Sequence, residues 1–308
     1  MDKSPLGKGI LFACSAYIIW GSLPIYWKAI SALNSINILG FRIIFSLFLV
    51  GGILLAKKNT SWLRFYKDKK KRLPLILAGL LITFNWGIYI WAVNSGRTIE
   101  TSLGYYINPL FSIVLGLIFF REKLKPLQIA AFGLAIAGVL VLTVLTGRLP
   151  WVSLGLAVSF ALYGLLKKTI SLSALESLGI ETLVAFPLGL LMVFTSFGAK
   201  ISFPDAQIFF LLGELPLHTL FLFLLCGVAT TFPLLLFGKG AKILPLSTLG
   251  FVQFLSPTLS FITGYFIFHE SFPIQNFIAF GFIWTAAILY IISLKPANKQ
   301  ERIKKTNG

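Results

Sequence analysis

A chain of 308 residues that is 57% hydrophobic and 12% charged, with a mean hydropathy of +0.88, is too apolar for a water-soluble domain. Its net charge of +17 does not make it a nucleic-acid binder, because the Lys and Arg residues sit in short runs between apolar stretches and line no single polar face. Two cysteines, Cys14 and Cys226, lie inside apolar stretches without metal-ligand spacing, so no metal or other cofactor is implied.

A hydrocarbon core of about 30 Å takes about 20 helical residues to cross. Ten stretches of that kind follow one another: 9–30, 35–56, 74–95, 100–120, 126–146, 149–167, 176–197, 217–237, 246–268 and 273–294. The first is longer than a signal-peptide core and has no small-x-small cleavage pattern, so it is read as a retained span. Only a helix satisfies its backbone inside lipid at this length, which predicts an all-α integral membrane protein of ten transmembrane helices. Pro74, Pro126, Pro150 and Pro273 are expected at helix starts, where a missing N–H costs little. Pro24, Pro109, Pro187, Pro233 and Pro257 are interior and are expected to bend or break their helices.

With the N-terminus inside, the cytoplasmic segments carry 22 Lys and Arg and the opposite side carries four, Lys28, Arg97, Arg148 and Lys200. Lys167 and Lys168 are counted among the cytoplasmic charges. Under the positive-inside rule both termini are cytoplasmic. Residues 102–110 (SLGYYINPL) return in 247–259 (STLGFVQFLSPTL). At a single offset of 148, Tyr105, Asn108, Pro109, Ser112 and Glu122 fall on Gln253, Ser256, Pro257, Ser260 and Glu270. Five spans per half is an odd number, so the second half must enter the membrane from the other side. The expected organisation is two inverted five-helix repeats, 1–148 and 149–308, the second ending in a basic cytoplasmic tail. Such a repeat marks a secondary transporter working by alternating access.

The segments NWGIYIWAVNSGRTIETSLGYYINPL (85–110), GRLPWVSLGLAVSFALYGLLKK (147–168) and LSTLGFVQFLSPTL (246–259) resemble the RarD group of EamA-type permeases in the drug/metabolite transporter superfamily. The resemblance runs from about residue 9 to 294. It implies a bacterial inner-membrane permease with five-plus-five inverted architecture, a central cavity and, as for many such proteins, export of metabolites or drugs. Similar proteins usually carry His before the Arg of the second span and Trp a few residues later. Here the stretch is GFRIIFS, with Phe41 and Phe45, and a His–Arg role does not carry over.

Polar residues inside spans are costly, about 2.5–3.5 kcal/mol for a charge at the centre on insertion scales, and mark candidate sites. Arg42 lies about seven residues into the second span and Glu181 a similar distance into the seventh. Both are candidates for gating or charge recognition. Their contexts, Gly40-Phe41-Arg42 and Gly179-Ile180-Glu181, correspond loosely between halves, and inverted symmetry sets them at opposite depths without a mutual salt bridge. The bland alternative is that each snorkels or bonds backbone carbonyls.

At about 100° per residue, Tyr105, Asn108 and Ser112 share a 60° arc, as do Gln253, Ser256 and Ser260. Each stripe contains a proline that frees a carbonyl one turn earlier, and the two stripes are expected to bind substrate. Interhelical hydrogen-bond glue is the competing reading. Asn85, Trp86 and Tyr89 add a 100° arc on the third span, and Trp20 and Tyr163 are further substrate-binding candidates, with Tyr17 and Ser159 weaker ones of the same type. Glu122 and Glu270 are expected to favour the N-terminal dipole of the helix that follows each. Gly51, Gly52, Gly133 and Gly138 are read as close helix packing.

No H-E-x-x-H, G-x-S-x-G or phosphate loop is present, and no enzyme is expected. The function read from the chain is a permease, in the exporting direction by resemblance, for small amphipathic or aromatic metabolites or drugs. A sugar-phosphate or nucleotide-type anion carrier is the alternative, and a lipid-modifying membrane enzyme is the alternative of another class. The partners are a small-molecule substrate and the bilayer, without nucleic acid, and a homodimer stays open.

Overall fold

The computed structural model describes residues 5–30, 35–60, 62–64, 69–94, 98–146, 151–194, 217–269 and 274–294. Every long described element is helical: α1 (Pro5–Ala29), α2 (Ser35–Ala56), α3 (Lys69–Asn94), α4 (Thr98–Phe119), α5 (Pro126–Thr146), α6 (Trp151–Thr169), α7 (Ala174–Phe194), α8 (Leu217–Leu224), α9 (Cys226–Ile243), α10 (Leu246–Gln253), α11 (Leu255–Ile262), a π-helical turn (Thr263–Ile267) and α12 (Ile274–Ser293). Among the described residues eight helices are long and apolar enough to cross a membrane. Two shorter apolar stretches, Gly104–Phe119 and Phe277–Ser293, accompany them. Large apolar side chains such as Phe48, Phe119, Phe221 and Phe266 point outward, as a lipid solvent requires.

Most interior prolines do not break their helices. Pro24, Pro109, Pro187 and Pro233 lie inside unbroken helices, and Pro74 lies inside α3, which starts at Lys69. Neighbouring helices tolerate the lost hydrogen bond in a membrane bundle. The ninth expected span does break, at Phe254, three residues before Pro257. Pro126 starts α5 as expected, while Pro150 and Pro273 lie outside the described residues. The eighth expected span is interrupted at Leu225 and runs on to Ile243, six residues beyond its expected end.

Packing is pairwise. The α2 helix lies against α7, α4 against both α6 and α10, α3 against α6 and α7, and α9 against α1 and α2. The α1 helix also packs on α10 and α11, and α5 pairs chiefly with α12. Glycines set the closest approaches. A Cβ on Gly40 would stand 2.7 Å from the Gly189 carbonyl oxygen, and one on Gly250 would stand 2.8 Å from that of Pro109. Gly138 packs in the same way against Ala279 and Ile283, but Gly51, Gly52 and Gly133 meet nothing within 4 Å, so those three are not packing glycines.

One face of the bundle holds the start of α1 beside the end of α9: a Cβ on Gly9 would meet Ile243 and Leu244. The end of α6 and the starts of α7 and α10 lie there too. We call this the near face and the opposite one the far face.

Candidate functional site

Arg42 sits about 10 Å along α2 from its start at the far face, at 1.5 Å per residue. Its Nε donates to Thr230 Oγ1 of α9 at 2.8 Å. Its guanidinium carbon lies 4.4 Å from the centre of the Trp27 ring and 5.3 Å from that of Trp86. Tyr26, Tyr89 and Tyr105 also lie close to it. The Tyr89 and Tyr105 rings are 5.9 Å apart, and the Tyr26 hydroxyl donates to the Leu222 carbonyl. A half-buried cation of α2 thus stands in an aromatic surround contributed by α1, α3 and α4. Each cation–π contact is worth about 0.5–2 kcal/mol and helps offset the burial.

Toward the near face lies a second charge cluster of opposite design. Lys167 Nζ is 2.7 Å from Glu181 Oε1, and both side chains are 1% exposed. Ser177 Oγ donates to Glu181 Oε1, Lys167 Nζ donates to Ser177 Oγ at 2.9 Å, and Tyr163 OH donates to Glu181 Oε2 at 2.8 Å. Glu181 therefore neither snorkels nor relies on backbone carbonyls. Lys167, expected as a cytoplasmic flanking charge, is buried, because a partner carboxylate and the Ser177 hydroxyl replace its water. Arg42 and Glu181 do stand apart, toward opposite faces.

Above this cluster the rings of Tyr17, Trp20, Phe160, Tyr163 and Phe237 form a continuous contact, with Tyr163 and Phe237 stacked at 5.8 Å. Tyr163 is fully buried and its hydroxyl is used by Glu181, while Trp20 stays partly accessible.

The paired stripes are separated by their neighbours. Asn108 and Ser112 are buried, with Ser112 Oγ 3.5 Å from Asn108 Oδ1. Tyr105 turns toward Tyr89 and the Arg42 surround. Gln253 Oε1 accepts a long 3.5 Å contact from Tyr17 OH, Ser260 Oγ donates to the Gly21 carbonyl at 3.3 Å, and Ser256 lies along the same crossing with α1. Asn85 Nδ2 donates to the Leu156 carbonyl and to Ser159 Oγ, both at 2.9 Å, tying α3 to α6. Of the expected site residues, Trp86, Tyr89, Tyr105 and Arg42 come together, and Trp20 with Tyr17, Gln253 and Tyr163 forms a second group. Trp27, Tyr26 and Thr230 were not expected beside Arg42. Trp27 sits three residues after a proline in a run that reads as an interfacial belt, and Thr230 is one of two adjacent threonines in an apolar span.

Glu122 does not serve the helix that follows it. Its carboxylate accepts from Leu246 N–H at 2.6 Å, Ser247 N–H at 2.9 Å and Ser247 Oγ at 2.6 Å, capping α10 instead of α5. Beside it, Lys168 Nζ donates to the Leu244 carbonyl at the end of α9. Glu270 lies outside the described residues.

The sequence profile of the EamA-like transporter family matches residues 7–144. Uncharacterized transporter YojE of Bacillus subtilis (strain 168) is 39% identical over 297 residues, spanning 95% of this chain and 96% of that protein. Protein RarD of Streptomyces exfoliatus is 40% identical over 282 residues, 91% of this chain and 87% of that one. This chain belongs to the EamA family. Within the family it is a RarD-like permease, a multi-pass membrane protein and not an enzyme. That excludes the lipid-modifying alternative. A solved structure with a TM-score of 0.68 and 16% identity, covering 91% of this chain and 96% of its own, shares the EamA protein's fold.

Proposed function

We propose that this EamA protein is a bacterial inner-membrane secondary transporter of small amphipathic or aromatic organic molecules, acting as an exporter by alternating access. In this reading ten spans form two inverted five-helix repeats, 1–148 and 149–308, with both termini cytoplasmic and the near face inside. The observation that carries it is the packing pattern. Exchange the halves, and α4 on α6 becomes α10 and α11 on α1, α3 on α6 becomes α9 on α1, and α3 on α7 becomes α9 on α2. The pairs α2–α7, α4–α10 and α5–α12 map onto themselves. A contact network that survives such an exchange lets each half adopt the packing of the other, which is the mechanical need of alternating access. The partly accessible aromatic and polar groups at mid-depth, Trp20, Trp86, Tyr89 and Tyr105, are suited to a planar or amphipathic solute. The multiply charged anion alternative is weaker, since among the described residues Arg42 is the cation facing this aromatic region.

Two measurements test it. In a variant lacking Cys14 and Cys226, cysteines introduced in 198–216 should react with an impermeant maleimide in intact cells, and those in 57–72 should not. The opposite labelling overturns the inverted topology. Once a transported solute is found by metabolite profiling of deletion and overexpressing strains, Tyr105→Ala, Asn108→Ala and Gln253→Ala should each lower its flux at normal membrane abundance. Unchanged flux in all three would place the site elsewhere.

A further inference from the structure

The two embedded cations differ in one respect. Lys167 has a carboxylate at 2.7 Å, and among the described residues no carboxylate pairs with Arg42. The carboxylates whose side chains are described, Glu122, Glu176 and Glu181, all lie at the near face, each bonded to near-face partners. Among the described residues, the hydroxyl and thiol groups near Arg42 are those of Thr230, Tyr26, Tyr89, Tyr105 and Cys226.

The geometry also limits where a ligand could lie. A guanidinium is flat, with its N–H groups in the plane and its π-surface above and below. Aromatic rings that meet a guanidinium at cation–π range do not use the in-plane donors. One of those donors, Nε, is taken by Thr230. The remaining in-plane edge, carrying Nη1 and Nη2, is what a carboxylate grips with two parallel hydrogen bonds. A single guanidinium matches one negative charge, whereas a phosphate-type dianion would call for more cations.

We propose that the Arg42 surround is the recognition site for a monoanionic organic acid, a carboxylate on a planar or aromatic body. The carboxylate is received at the Nη edge, and the body is held among Trp86, Tyr89 and Tyr105. This inference rests on the transport reading above and narrows its substrate class. Selection follows from the same physics: a neutral analogue leaves the cation without an anion, and an amine analogue sets two positive charges face to face.

The test uses full-length protein in lipid nanodiscs and calorimetric titration with three probes of one shape: phenylacetate, its neutral amide phenylacetamide, and phenethylamine as the cation. Wild type should bind phenylacetate at least ten-fold tighter than the amide and show no heat with the amine. Arg42→Gln should erase the difference between acid and amide. Arg42→Lys, which keeps the charge but not the flat two-pronged edge, should retain part of it. Tyr105→Phe and Tyr89→Phe report on the body and should shift acid and amide binding together. Equal binding of acid and amide by wild type, an acid preference that survives Arg42→Gln, or no binding of any of the three overturns the proposal. The wild-type comparison needs no variant to fold. Flux of the same probes in proteoliposomes separates the two claims. Acid-selective binding without flux would sink the transport reading alone, and flux of neutral solutes without acid preference would sink this one alone.

Discussion

Glu122, in the turn after α4, caps the first turn of α10 through both the backbone N–H and the hydroxyl of Ser247, 125 residues away in the sequence. The contact joins the turn after α4 to α10 at the near face. A Cβ on Gly116 would stand 2.7 Å from that carboxylate, so a glycine on α4 makes room for the cap. The anchor holds the end of one crossing helix to the start of its counterpart, and it must part if that face opens.

Removing this cap should destabilise the near-face-closed arrangement. Glu122→Ala leaves two N–H groups at the α10 start without their acceptor, a loss of about 1–3 kcal/mol. The expected outcome is a lower unfolding temperature together with faster modification of a reporter cysteine placed at Leu246. An unchanged modification rate would show that the cap does not hold this face shut.

The Lys167–Glu181 pair should behave as a buried ion pair. Lys167→Met alone strands Glu181 and should cost about 3–5 kcal/mol, whereas combining it with Glu181→Leu should recover most of the loss. Chemical unfolding of the two single variants and the double variant in detergent gives the coupling directly. Additive losses would mean that Ser177 and Tyr163, and not the ion pair, hold the carboxylate.

Glycine substitutions should sort by crossing. Gly250→Ala places a methyl 2.8 Å from the Pro109 carbonyl oxygen and should cost about 1–3 kcal/mol by overpacking. Gly51→Ala meets nothing and should be neutral or slightly stabilising, since alanine is the better helix former. Thermal unfolding of the two variants side by side decides it. A Gly250 variant as stable as wild type would show that the α4–α10 crossing is loose.

Transport should depend little on the proton gradient. Glu181 is bonded on both oxygens, by Lys167, Ser177 and Tyr163, and so serves as a fixed anchor. In proteoliposomes, collapsing an imposed pH gradient with the membrane potential clamped should leave concentrative flux nearly unchanged. Loss of flux, reproduced by Glu181→Gln, would make this carboxylate a coupling group after all.

The helical class and the apolar stretches were legible because the bilayer makes length and hydropathy nearly sufficient. Arg42 was legible for the same reason, since a charge in an apolar run is conspicuous. Its surround was not. Trp27 and Thr230 reach it from α1 and α9, and nothing in their local sequence distinguishes them from belt or packing residues. Lys167 was misread because a Lys at a helix end normally flanks a span, and only the fold shows Glu181, 14 residues later, turned back to meet it. The glycines failed similarly. Gly51 and Gly52 look like a packing pair in sequence, yet helix rotation turns them away from every neighbour, while the single Gly250 takes the tightest crossing with α4. Tyr163 was legible as an inward-facing aromatic, but its bond to Glu181 was not.

Lys28 and Arg42 stand 14 residues apart, as do Lys167 and Glu181, and a shift of 139 carries the first pair onto the second. One half therefore places opposite charges at these positions and the other places like charges. In a carrier whose halves trade packings, the two resting states would be equal in free energy if the sequences matched, so the equilibrium is set by where they differ. The opposite charges meet at the near face, where Lys167 Nζ stands 2.7 Å from Glu181. If this chain is such a carrier, the bond between Lys167 and Glu181 weights that equilibrium toward the arrangement with the near face closed.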